Sequence, residues 1–188
     1  MKKIKQNKKD NWLWQVFIIT FCLAMMFGAV SNTVVTKLNI WVATILLFII
    51  ILIGILFDLV GMAVASATEA PFHAKAAKKS KGAKEAIHLV RNAPMVSNIC
   101  NDVIGDICGI ISGSIGALLS VSLSEKFNID IIIISLIVSA IIASLTVGGK
   151  ALGKKFAIKK CTNIIYFAGA TIHYIYPVRE KKKKTTKQ

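Results

Sequence analysis

Long apolar runs separated by short basic stretches set the pattern of this chain. Leu13 to Val30 is the first run. A second begins near Ile40, stays apolar to Phe57, and continues through Asp58, Gly61 and Ala63 to Ser66-Ala67-Thr68-Glu69 before Pro71. The third covers Val96 to Leu123 and the fourth Ile131 to Val147, where Gly148-Gly149 interrupts it. A run of roughly 20 apolar residues crosses a bilayer as a helix. The pattern therefore predicts the all-α class: a polytopic membrane helical bundle of about four transmembrane helices. Gly28-Ala29-Val30-Ser31 offers the small residues of a signal cleavage site. A signal's apolar region is usually about 7–15 residues, so an uncleaved first helix is favoured. The second run, read as one helix at about 1.5 Å per residue, exceeds a ~30 Å hydrocarbon core. It must tilt, break near Gly61, or project into the cytoplasm.

The connections are short on one side and basic on the other. Pro71 to Pro94 is Ala-rich and carries Lys75, Lys78, Lys79, Lys81, Lys84 and Arg91, which predicts a cytoplasmic basic linker helix along the inner leaflet. After Gly148-Gly149, Lys150, Lys154, Lys155, Lys159 and Lys160 alternate with Ala151, Leu152, Phe156 and Ile158. That is the pattern of a C-terminal juxtamembrane amphipathic segment. Asn163 to Tyr176 is apolar but too short to span. It reads as interfacial or re-entrant, with Tyr166, His173, Tyr174 and Tyr176 at that depth.

Composition sharpens the orientation. Of 188 residues, 24 are Lys or Arg, and the formal charge is +15. Five of these basic residues precede Asn11, six lie between Pro71 and Pro94, and eleven follow from Lys150 onward. Excess Lys and Arg mark cytoplasmic segments. Both termini are therefore expected inside, in a multi-pass protein of the cell (inner) membrane. The domains read as a basic amino terminus over 1–12, a transmembrane domain over 13–177 and a basic tail over 178–188. No aromatic-interleaved basic surface of the RNA-binding kind is visible, so no nucleic-acid partner is expected. Cys22, Cys100, Cys108 and Cys161 are scattered and read as small core residues, not as a metal or disulfide framework. His73 and His88 read as surface residues. No Ser/His/Asp set, HExxH, P-loop or Rossmann glycine pattern occurs, so no enzyme is expected.

Candidate chemistry lies within the apolar runs. Asn98, Asp102 and Asp106 recur every fourth residue and share one side of the third helix. Gly105, Gly109 and Gly113 recur at the same interval as a smooth strip for helix packing. These polar groups either bond to neighbouring helices or line a polar site for an ion or solute, and two carboxylates exceed what packing requires. Asp58 reads either as a buried partner for a polar group elsewhere or as the lining of a water-filled cleft.

Three stretches together resemble the transmembrane domain of the CorC/cyclin-M (CNNM) magnesium transporter family. Ala65-Ser66-Ala67-Thr68-Glu69-Ala70 is similar to the family's F-S-x-x-E-x-A element. Lys81-Gly82-Ala83-Lys84-Glu85-Ala86-Ile87-His88-Leu89-Val90-Arg91-Asn92-Ala93-Pro94 resembles its G-x-x-G-A-x-x-A-L-x-L-x-x-x-P linker, with Ile104-Gly105-Asp106 following where the family has I-G-N. Gly149-Lys150-Ala151-Leu152-Gly153-Lys154 stands at the place of its G-E-x-x-P-K turn. The resemblance covers about 40–177, and the chain reads as a short divergent member lacking the cytoplasmic CBS domains.

The resemblance implies a homodimer that moves divalent cations, chiefly Mg2+. It carries over Ser66 and Asp106 as oxygen ligands, with Asn101 and Asp102 one turn away to support them. Thr68 and Glu69 fall in the same binding region. Lys150 departs from the family's glutamate, and an ammonium cannot ligate a cation. It would repel one, or pair with Asp106 and fill the site without metal. Two functions follow as expectations. One is transport or binding of magnesium or a similar divalent cation within the lipid bilayer, with a separate cytoplasmic regulatory protein as a further partner. The other is a non-transporting membrane scaffold or regulatory subunit in which Lys150 replaces the cation.

Overall fold

The structure, a computed structural model, describes residues 39–175 together with Ile18, Phe21, Cys22, 24–31 and Thr33. The predicted first span, Leu13 to Val30, lies partly outside the described residues; its described members are helical. Both predicted tails lie outside them altogether. All regular structure among the described residues is helical. Among the described residues three helices are long and apolar enough to cross a membrane, and they suggest a membrane protein: α1 (Ile40–Ser66), the continuous rod Ala93–Phe127, and α6 (Ile131–Lys159). Short helices α2 (Ala70–Ala77) and α3 (Ala83–Arg91) follow α1. The rod comprises α4 (Ala93–Asn98), a π-helical turn (Ile99–Ile104) and α5 (Gly105–Phe127), and α7 (Cys161–Ile175) closes the described chain. By residue contacts the chain divides into two compact units. One takes the chain to Ile55 and Ile104–Gly149, the other Leu56–Val103 and everything from Lys150.

In the first unit, α1 presents Ala43, Leu47 and Ile51 at four-residue spacing, so one stripe meets Ile115 and Leu119 of α5. Gly54 extends that stripe, and a Cβ there would stand 3.1 Å from Cys108 Cβ, so the two backbones run close. Of the predicted glycine strip on α5, Gly105 is buried, whereas Gly109 and Gly113 face open space. The tight contact is instead at Gly116, where a Cβ would run into Ile142 Cδ1 of α6. The predicted break at Gly148-Gly149 does not occur, and α6 continues unbroken to Lys159. Glycine weakens a helix by about 1 kcal/mol per residue, but in lipid an unpaired backbone group is more expensive still. Gly149 also has a packing reason, because Ile55 Cδ1 occupies the space its side chain would fill.

The second unit corrects the linker. Pro71 to Pro94 is two helices and not one, because the chain turns through Lys78–Gly82 with Lys79 and Gly82 in the left-handed region. Helix α1 ends at Ser66, and Pro71 lies in the first turn of α2, where its missing N–H is no loss. The fourteen-residue apolar stretch near the carboxyl end forms α7, which packs on α3 and α2. Phe72, Ala86 and Ile165 from these helices bury themselves with Ala63, Val64 and Ala157. The approach of α7 to α3 is at backbone distance. A Cβ on Gly82 would lie 2.5 Å from Ala170 N, and one on Gly169 would lie 2.5 Å from Gly82 O.

Candidate functional site

The polar groups of the second unit gather around the last turns of α1. Asp58 continues the buried stripe of that helix and is 7% exposed. Its partner is Lys150 of α6, whose Nζ stands 3.6 Å from Asp58 Oδ1. Lys150 was expected to repel a cation or to pair with Asp106; the ion pair it makes is with Asp58. The physical reason is register. Unbroken passage through Gly148-Gly149 keeps Lys150 on the helix, aimed at α1, where a break would have released it to the surface.

One turn beyond Asp58, Gly61 leaves room for Asn101. A Cβ at Gly61 would collide with Asn101 Oδ1, so only glycine admits the amide there. Asn101 Nδ2 donates to Ser97 Oγ at 3.3 Å, which turns Oδ1 the other way, and that oxygen is buried without a hydrogen-bond partner among the described residues. An unpaired buried acceptor costs roughly 1–3 kcal/mol. The asparagine sits in the π-helical turn Ile99–Ile104, a backbone irregularity that recurs at functional sites. Sequence reading placed Asn101 near the site as support. It gave no sign that the backbone widens there, which is what carries the amide towards Gly61.

The other predicted residues are distributed differently. Ser66 is exposed and donates to Met62 O at 2.8 Å within its own helix. Thr68, Asp102 and Asp106 are exposed. Glu69 accepts from His73 Nε2 at 3.0 Å and from Arg91 Nε at 2.9 Å, so it ties α2 to α3. The hydrogen bond from His73, then that from Arg91, holds its carboxyl below the usual range. Among the described residues no three His, Cys, Asp or Glu side chains stand close enough together to share a metal ion.

Sequence reasoning missed a second polar pair altogether. Glu85 is 4% exposed inside the α2–α3–α7 cap, and His173 Nδ1 meets its Oε1 at 2.7 Å. The only clue was a carboxylate flanked by Ala83 and Ala86, positions that the helical period puts on the buried side. Nothing local pointed to a histidine on α7. Compared with known protein families, curated proteins and solved structures, the chain gives no match to any of them.

Proposed function

We propose that this chain is a multi-pass protein of the inner membrane that binds and moves a divalent cation, magnesium or one like it, as its resemblance to CorC/cyclin-M transporters implies. The observation that carries the reading is the buried, unpartnered Asn101 Oδ1, one helical turn from the Asp58–Lys150 pair. A carbonyl oxygen is a hard ligand of the kind magnesium takes, usually alongside water that the ion keeps. Lys150 then serves as a tethered stand-in: it neutralises Asp58 while the site is empty and yields when a cation arrives. Ser66, Thr68, Asp102 and Asp106 are proposed to meet the ion along its path or in a homodimer, and Glu69 to brace the cytoplasmic cap. A separate cytoplasmic protein would regulate the carrier.

The same ion pair favours a second reading, a non-transporting scaffold in which Lys150 has replaced the cation for good. Thermal melting of purified protein with magnesium, manganese and cobalt separates the two. Carrier chemistry predicts stabilisation that is lost in Asn101→Ala and strengthened in Lys150→Met, where the competing ammonium is gone. Indifference of both the parent protein and Lys150→Met to all three metals would leave the scaffold.

A further inference from the structure

The second unit carries a groove of about 670 Å³ that the cation reading does not use. Its volume is that of an ordinary ligand pocket, typically about 300–1,000 Å³. Leu56 and Phe57 of α1, Phe156 of α6 and Phe167 of α7 give it hydrocarbon walls. All four side chains are well exposed. Among its described lining residues the only charge is Lys160, at the turn joining α6 to α7, with Asn163 beside it. The Lys160 ammonium stands 5.3 Å from the Phe156 ring centroid, so the cation is seated on the groove wall. Lys154, Lys155 and Lys159 precede it on the closing turns of α6, and among the described residues no carboxylate lines the groove.

An apolar trough with one cation on its wall matches a molecule with a hydrocarbon tail and a negative head. Basic pockets between membrane helices hold anionic headgroups in this way. A second copy of the chain is a poor fit, because a protein of net charge +15 would bring more positive charge to Lys160. We propose that the groove holds one anionic phospholipid, its acyl chain against Phe57 and Phe167 and its phosphate on Lys160. The site is independent of the cation reading and stands or falls without it.

Native mass spectrometry of delipidated protein in neutral detergent, titrated with phosphatidylglycerol or phosphatidylcholine, tests this. A single phosphatidylglycerol should be retained at concentrations where phosphatidylcholine is not. One basic contact is worth roughly fivefold in affinity, so the reversal Lys160→Glu, which removes an attraction and adds a repulsion, should lower retention by roughly 25-fold, whereas Lys160→Arg preserves it. Thr171→Trp fills the groove from an exposed lining position on α7 and should abolish retention with unchanged helicity. Should Lys160→Glu fail to fold, Thr171→Trp decides alone. Equal retention of the two lipids, or retention that survives Thr171→Trp, overturns the proposal. So does a Thr171→Trp protein that changes oligomeric state while still holding the lipid, since the groove would then belong to a second copy.

Discussion

Replacing Gly82 with alanine should undock α7 from α3. Gly82 has φ 83°, a left-handed conformation that disfavours a side chain by roughly 1–2 kcal/mol. The new Cβ would also lie 2.5 Å from both N and Cα of Ala170. Those are backbone atoms of a helix and cannot swing aside as a side-chain tip could. Overpacking of this kind costs about 1–3 kcal/mol. Together the two effects put Gly82→Ala at about 3 kcal/mol, a fall of roughly 6–12 °C in melting temperature for a chain of this size. Gly169→Ala meets Gly82 O at 2.5 Å and Ala86 N at 2.9 Å but gains helix propensity, so its loss should be about half as large. Gly148→Ala, with nothing within 4 Å, is the control and should be neutral or raise stability by up to about 1 kcal/mol. The assay is melting in detergent, with limited trypsin digestion reporting on the lysines between α2 and α3. Because both glycines serve one contact, the double variant should fall short of the summed losses. If Gly82→Ala melts with the parent protein, or Gly148→Ala loses as much, the close backbone docking is wrong.

The ion pair within the second unit should behave as a unit. Asp58→Asn or Lys150→Met alone strands one charge and should lose about 3 kcal/mol, while the double change loses less, as a double-mutant cycle of melting temperatures will show. His173→Ala removes the 2.7 Å hydrogen bond to the buried Glu85 and should lose roughly 1 kcal/mol; His173→Gln, which can still donate, should recover part of it in the same melts. Glu69 is held below its ordinary carboxylate value in the folded chain, so its contribution is complete above about pH 4.5 and is lost as pH falls through the lowered folded value. The gap in melting temperature between the parent protein and Glu69→Gln should therefore be at its full size and constant with pH above that window. Below it, the parent protein should converge on the variant. A difference that widens on acidification would reverse the sign of the argument.

Helix class and the long apolar rods were legible in the sequence because they depend on run length alone. The limits of α1 and of the Ala93–Phe127 rod fell within a few residues of the predicted runs. What failed were inferences drawn from single residues. Gly148-Gly149 looked like a break, yet its cost is small beside an unpaired backbone in lipid, and Ile55 needs the space. The close packing at Gly82 was not legible because its requirement comes from α7, nearly ninety residues later. The candidate site was half visible. Asn101 and Lys150 were both picked out, but the Asp58 partner of Lys150 was not, because residue spacing carries no register between helices. Asp58 lay on the same seven-residue rhythm as Ile51 and could have been placed on the buried face from that alone.

The order of synthesis gives the Asp58–Lys150 pair a further consequence. The carboxylate on α1 is made two long rods ahead of the ammonium on α6 that neutralises it. Until α6 emerges, Asp58 must keep touching water, since a lone charge in hydrocarbon is too costly to bury. Arrival of Lys150 then locks an early segment with a late one, so assembly is finished only when the last rod is in place.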